Sequence, residues 1–124
     1  MNVPDHLRYT EEHEWVETLD SGNLRVGITD YAQDQLGDVV FVELSPAGDV
    51  EAGAMLAEVE STKSVAEVYA PVPGSIVELN GELADAPELV NSDPYGRGWF
   101  VVIEPSADDG GVFLDAGGYR SLIE

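Results

Sequence analysis

Short runs of alternating apolar and polar residues, rich in β-branched and aromatic side chains, recur along this chain between turn-forming residues. Such runs are typical of β-strands with one buried face. We predict seven strands, at residues 13–18, 23–29, 39–44, 55–60, 65–70, 75–79 and 99–104. Many short strands separated by turns indicate a mostly β protein, either an antiparallel sandwich or a barrel.

Helical signals are few and short. A helix is predicted after Asp30, which we expect to be the N-cap with Gln33 as its capping-box partner, and Gly37 is expected to end it. A second short helix is predicted at residues 85–90, where a proline suits the first turn. The end of the chain predicts a C-terminal helix that begins after Asp115.

The strands at 55–60 and 65–70 are expected to form a hairpin, with Thr62 and Lys63 at the two central positions of the turn. This register separates an apolar face from a mostly charged one: Ala57, Val59, Ala66 and Val68 against Glu58, Glu60, Val65 and Glu67. A slip of one residue would move the apolar set into water, so the pattern supports the register. Lys63 is then exposed at the tip, and we expect the three carboxylates to surround its ammonium group.

Lys63 is the only lysine in the chain, although four arginines are present. Its turn lacks the Asn-Gly or Asp-Gly that two-residue hairpins favour. A lysine that forms Schiff bases needs a desolvated pocket, which a hairpin tip does not offer. A lysine that another enzyme acylates needs exposure, and an arginine cannot replace it. The position therefore favours covalent attachment over catalysis; the alternative is an ordinary surface lysine that caps a turn.

Composition adds a strong negative charge, because 25 Asp and Glu stand against five Lys and Arg, for a net charge of -20. This charge argues against nucleic acid and anionic membranes as partners. We interpret it as adaptation to the salty cytoplasm of a halophilic organism, where screening is strong, with an acidic docking face as the alternative.

The 124 residues, 44% of them hydrophobic, suit one folded domain that spans 1–124. No cysteine is present, which excludes disulfides and a thiolate nucleophile. The sequence shows neither a signal peptide nor an apolar stretch long enough to span a membrane, so we expect a soluble cytoplasmic protein. His13 is interpreted as structural, and Trp15 and Trp99 as core or cleft-wall residues.

Four blocks of the sequence resemble, in order, the H protein of the glycine cleavage system. These blocks are YTEEHEWV at 9–16, VGITDYAQDQLGDVVFVEL at 26–44, VESTKSVAEVYAPVPGSIVELN at 59–80 and ADAPELVNSDPYGRGW at 84–99. The resemblance implies that Lys63 carries lipoic acid as a covalent amide. It also implies a flattened barrel or sandwich of the lipoyl/biotinyl-carrier hairpin type, with Gly74 as the glycine kept after the modified hairpin.

The resemblance further implies a non-catalytic, monomeric carrier whose lipoyl arm moves an aminomethyl group between enzymes. The expected partners are the glycine decarboxylase (P protein), the aminomethyltransferase (T protein), the dihydrolipoamide dehydrogenase (L protein) and a lipoate-attaching enzyme. Glu14, in the HEW motif, and Glu67 are expected to line the cleft that shelters the loaded arm, where a carboxylate would pair with the protonated amine. Arg97 stands where the family usually has an acid, and either a local salt bridge or altered docking would explain it.

Other functions stay open on the sequence alone. A lipoyl or biotinyl domain of another multienzyme system is one alternative, although the STKS motif at 61–64 differs from the AMKM-like and DKA-like motifs of those domains. An H-like protein that relays lipoate to other proteins is a second. An autonomous enzyme would need a nucleophile and a base with tuned pKa values, and two histidines without cysteine offer no convincing catalytic or metal set.

Overall fold

Two antiparallel sheets build the fold in the computed structural model, which describes residues 2–106 and 113–124. The larger sheet has, in spatial order, β1 (Arg8–Tyr9), β2 (Glu14–Thr18), β3 (Leu24–Ile28), β9 (Val101–Pro105), β8 (Gly74–Leu79) and β5 (Gly48–Val50). The smaller sheet has β4 (Val39–Leu44), β6 (Met55–Ser61) and β7 (Val65–Tyr69). Four helices accompany them in the described ranges: α1 (Asp30–Leu36), α2 (Glu82–Asp85), α3 (Leu89–Ser92) and α4 (Ala116–Ile123).

The seven predicted strands are confirmed as β2, β3, β4, β6, β7, β8 and β9. The sequence missed β1 and β5, which have two and three residues. Runs this short do not show a period of two, so only their partners in the sheet define them as strands. The predicted fold class, an antiparallel sandwich or flattened barrel with a few short helices and a C-terminal helix, is confirmed.

The main core lies between the two sheets, because the largest buried cluster combines residues such as Val26 and Ile103 of the larger sheet with Val42 and Val59 of the smaller one. A second cluster lies on the opposite face of the larger sheet, beneath α4. It contains Trp15, whereas Val16, the next residue along β2, belongs to the main core. Strand β2 is therefore covered on both faces, and α4 closes the outer one.

Helix α1 begins one residue earlier than expected. The N-cap is Thr29, whose Oγ1 accepts a hydrogen bond from the Ala32 amide at 3.2 Å, so the predicted cap at Asp30 is wrong. Asp30 is the first helical residue, and its Oδ1 accepts a hydrogen bond from Gln33 Nε2 at 2.7 Å. Two adjacent residues both suit a cap, and only the helix start distinguishes them. The expected end is confirmed, because Gly37 has φ 85° and donates to the Gln33 carbonyl.

The single helix predicted at residues 85–90 is replaced by α2 and α3. Ala86, with φ −135° and ψ 64°, separates them. It precedes Pro87, and a residue before proline is held away from the helical region, so the two helices cannot join. The predicted C-terminal helix is confirmed as α4, where the Asp115 carboxylate accepts from the Gly118 amide at 2.7 Å.

Gly74, the glycine after the hairpin, has a physical reason to be glycine. It pairs with Pro105 of β9 and with Val50 of β5, so another strand lies on each side of it. A Cβ added here would lie 2.2 Å from the carbonyl oxygen of Glu104. Any side chain would therefore force these strands apart.

Candidate functional site

The hairpin of β6 and β7 has the register that the sequence predicts. The cross-strand pairs are Ala57 with Val68, Glu58 with Glu67, Val59 with Ala66, and Glu60 with Val65. Ala57, Val59 and Val68 are buried, while Glu60, Val65 and Glu67 are exposed. The apolar face thus packs on the core, and the turn at Thr62 and Lys63 projects from the domain.

The hydroxyl of Ser61 organises this turn. Its Oγ accepts hydrogen bonds from the backbone amides of Lys63, at 3.3 Å, and Ser64, at 3.0 Å. The same hydroxyl donates to the Ser64 carbonyl at 3.1 Å. A side-chain cap therefore supplies what an Asn-Gly turn would supply through its backbone. Sequence reasoning missed this role, and the signal was a serine two residues before the lysine.

Lys63 is exposed, and its aliphatic stem lies on Gly37 at the end of α1. A Cβ on Gly37 would be 3.1 Å from Cε of the lysine. The amide of Thr62 donates to the Asp38 carbonyl at 3.0 Å and holds the tip beside this segment. The expected ring of carboxylates is wrong: within residues 2–106 and 113–124 no salt bridge includes Lys63. The lysine leans towards the helix end rather than over the charged face of the hairpin.

A cleft of about 380 Å³ opens beside the tip. Four segments line it: the turn that leads into β2 with the first residue of that strand, the last residue of β3, the helix α1, and strand β7 with the residue before it. Ser64, the neighbour of Lys63, belongs to this lining, and both predicted cleft residues, Glu14 and Glu67, lie in it as well. The attachment candidate and the cleft candidates are therefore parts of one site.

Glu14 is buried in the wall of the cleft, with only 3% of its surface exposed. Its Oε2 accepts a hydrogen bond from the Tyr69 amide at 2.9 Å, and its Oε1 accepts from the Thr10 hydroxyl at 3.1 Å. These bonds favour the carboxylate, but desolvation is stronger and raises the pKa of Glu14 to about 7. Glu67 differs, because it is exposed and accepts from the Tyr69 hydroxyl at 2.9 Å.

His13 also lines the cleft, in a left-handed backbone conformation with φ 68°. Its Nδ1 lies 2.9 Å from the hydroxyl of Tyr119, and its ring packs on that of Tyr31 with centroids 4.9 Å apart. Burial lowers the pKa of His13, although nearby Glu12 opposes the shift. The structural interpretation of His13 is thus incomplete, because the same side chain both forms a buried contact and faces the cleft.

The two tryptophans are core residues rather than cleft walls. Trp15 is fully buried, and its Nε1 donates to the Pro94 carbonyl at 2.9 Å. Trp99 is half-buried beneath the guanidinium of Arg25, which lies 5.2 Å from the ring centre. Neither lines the cleft.

Arg97 forms the expected local salt bridge, with Glu82 at the start of α2. Both side chains are exposed, so this ion pair adds little to stability. The Arg97 amide donates to Oδ2 of Asp93 at 2.9 Å, which fixes the turn that carries it. A role in docking stays a prediction.

A family model described as glycine cleavage H-protein matches residues 7–122. This chain belongs to that family. It is 53% identical over 126 residues to the glycine cleavage system H protein of Mycolicibacterium vanbaalenii, covering 98% of this chain and 96% of the relative. It is 50% identical to that of Anaeromyxobacter sp. (strain K), covering 100% of this chain and 98% of the relative.

A solved structure agrees with these relatives. The crystal structure of a glycine cleavage system H protein from Mycobacterium marinum superposes with a TM-score of 0.88 at 43% sequence identity, covering 96% of this chain and 97% of that one. Membership confirms the resemblance and makes this glycine cleavage H-protein family member a lipoyl carrier of that system. In the described parts of the chain, no helix is both long and apolar enough to cross a membrane. The halophilic origin and the cytoplasmic location stay predictions.

Proposed function

We propose that this carrier bears its lipoyl group as an amide on Lys63 and shelters the loaded arm in the adjoining cleft. One observation carries the proposal: the sole lysine lies at the exposed tip of a hairpin, and the next residue, Ser64, already lines the cleft. An exposed primary amine suits a modifying enzyme. A partly enclosed space beside it suits the return of the modified side chain.

The lipoyl group supplies the sulfur chemistry that takes up the aminomethyl cargo of glycine cleavage. Residues of this chain supply a place for that cargo. Its amine is protonated at neutral pH, and the buried carboxyl of Glu14 is a suitable counter-ion. A cation beside Glu14 would lower its raised pKa, so the carboxyl would ionise when the cargo enters.

Glu67 has a different part in the proposed site. Its carboxylate is exposed at the mouth of the cleft and accepts from the Tyr69 hydroxyl. The backbone amide of the same tyrosine donates to Glu14. We assign Glu67 to the attraction of the cationic cargo at the entrance, where water weakens any ion pair, and Glu14 to its retention inside.

The proposal includes the partners that glycine cleavage requires. These are the P protein that loads the arm, the T protein that unloads it, the L protein that reoxidises it, and the enzyme that attaches lipoate to Lys63. The chain itself acts without catalysis, as a monomer, and residues 1–124 work as one lipoyl-carrier domain. Relay of lipoate to other proteins stays an open alternative, which the same site would permit.

The proposal is tested by intact mass and peptide mapping of the protein from its native cells. We expect one lipoyl group per chain, confined to the peptide with Lys63, and complete loss of the modification in Lys63→Arg. Arg97→Lys is the matched control, because it places a second exposed lysine in another turn; this lysine should stay unmodified. A native sample whose Lys63 is bare, with lipoylation intact on other proteins of the cell, would contradict the proposal.

A further inference from the structure

A short hydrogen-bonded chain runs behind the cleft wall, from His13 through Tyr119 to Thr29. The Tyr119 hydroxyl lies 2.9 Å from His13 Nδ1 and 2.7 Å from Thr29 Oγ1. Thr29 and Tyr119 are fully buried, so their hydroxyl protons have only protein partners. Thr29 also caps α1, and its amide donates to the His13 carbonyl at 3.0 Å. Tyr119 of α4 thus joins two walls of the cleft.

The direction of the protons in this chain follows from the available acceptors. Thr29 Oγ1 already accepts from the Ala32 amide. Among the residues that the structure describes, the only recorded acceptor for the Thr29 hydroxyl proton is the Tyr119 oxygen. Burial raises the pKa of Tyr119 to about 12, so this tyrosine keeps its own proton. That proton can then go only to Nδ1 of His13.

We propose that Tyr119 is a positioning residue that holds His13 as the neutral imidazole with its hydrogen on Nε2, so that the cleft beside Glu14 carries no fixed positive charge and accepts a cationic cargo. The benefit to the cargo rests on the proposed function. The protonation state of His13 does not, because it follows from the hydrogen bonds alone. Lining the cleft with an imidazolium would place a like charge beside the amine of the cargo. The contact with Tyr119 removes that obstacle.

Protonation of His13 would disrupt both hydrogen bonds that link His13, Tyr119 and Thr29. Nδ1 would then carry a hydrogen, and the Tyr119 oxygen would have to accept from both His13 and Thr29. The hydroxyl proton of Tyr119 would lose its acceptor in a buried position, which is costly. The titratable groups around His13 are Glu12 and Glu14 on its own segment, Tyr31 on α1, Glu67 on β7 and Tyr119 on α4. Burial lowers the pKa of His13, and the contact with Tyr119 favours the same neutral ring, whereas the carboxylate of Glu12 favours the imidazolium.

The test is ¹⁵N NMR of the histidine rings as a function of pH, on the unmodified full-length chain. In the native protein, at a pH above the pKa of His13, we expect the neutral ring to carry its hydrogen on Nε2. In Tyr119→Phe we expect the pKa of His13 to rise by about half to one unit, because the bond that favours the neutral ring is lost. His6, which is exposed, provides an internal reference signal in both proteins.

Tyr9→Phe is the matched control. Tyr9 is as buried as Tyr119 and stacks on it with ring centroids 4.7 Å apart, but its hydroxyl donates to the Pro4 carbonyl instead. This variant should leave the titration of His13 unchanged. An Nδ1–H tautomer in the native protein would overturn the inference, and so would equal His13 titrations in the native protein and Tyr119→Phe. If Tyr119→Phe does not fold, the tautomer of His13 in the native protein alone tests the inference.

A second readout uses the lipoylated and loaded protein. At a pH near the pKa that His13 has in Tyr119→Phe, we expect water to hydrolyse the cargo to formaldehyde and ammonia, leaving the thiol on the arm, about two- to fivefold faster in this variant than in the native chain. From Tyr9→Phe we expect the native rate. Equal rates in all three proteins would overturn the link to the cargo. If Lys63 proves to carry no lipoyl group, the proposed function fails, while the NMR titration still decides the state of His13.

Discussion

The hairpin tip and the cleft wall that faces it are built in opposite ways. At the tip, the bonds that shape the turn join residues two or three positions apart, such as Ser61 and Ser64. In the wall, Glu14 is held by a residue 55 positions away, and His13 by one 106 positions away. The shape of the turn is therefore set locally, with one longer bond from the Thr62 amide to the Asp38 carbonyl, whereas the shelter forms only when the whole chain has folded. Substitutions at the tip should therefore have small effects that leave the wall unchanged, whereas substitutions in the wall should change both its chemistry and the stability of the fold.

The largest effect should come from Glu14→Gln, measured as stability against pH. The raised pKa means that the folded protein binds the Glu14 proton more tightly than the unfolded chain. This contribution is fully present below pH 4.5 and is lost as the pH rises through about 7. Relative to the glutamine variant, the native protein should thus lose about 3 kcal/mol of unfolding free energy across this window.

Urea unfolding at a series of pH values would measure this difference. All other ionisable groups are the same in the two proteins, so their effect cancels in the comparison. A difference that stays constant with pH would mean that Glu14 titrates normally, and the contrast between a solvated tip and a desolvated wall would lose its main support.

A smaller effect should appear in the retention of the cargo. With lipoylated and loaded protein, we expect Glu14→Gln to release formaldehyde about 10- to 100-fold faster than the native chain, since a charged hydrogen bond is lost. Glu67→Gln is the matched control at the exposed mouth of the cleft and should change the rate less than about twofold. Equal effects of the two variants would show that burial does not distinguish their roles.

The smallest effect should follow a change at the tip. Ser61→Ala removes the hydroxyl that caps the turn and should lower the free energy of unfolding by about 1 kcal/mol. NMR signals of Glu14 and His13 should not move. Ser21→Ala in the β2–β3 turn, where the serine is exposed and accepts one hydrogen bond, should cost less. A shift of the Glu14 signals in Ser61→Ala would show that the tip and the wall are coupled.

The same contrast explains which features the sequence could predict. The register at Lys63 follows from the alternation of apolar and charged residues, and it is confirmed pair by pair. The bonds of Glu14 to Tyr69 and of His13 to Tyr119 leave no periodic trace, because the folded chain alone brings these residues together. Glu14 was found only through the resemblance to a family. Tyr119 was missed, since a single tyrosine in a short helix does not differ in sequence from an ordinary core residue.

Ser64 follows Lys63 directly and lines the cleft. The attachment point of the arm is therefore only one residue away from the cleft in which the arm would rest. Whatever the lysine carries is then offered to the cleft at an effective concentration on the order of millimolar. Even weak intrinsic binding would keep such a group docked for much of the time. A partner enzyme would therefore have to compete with a tethered equilibrium, and its advantage would come from binding the domain beside the tip.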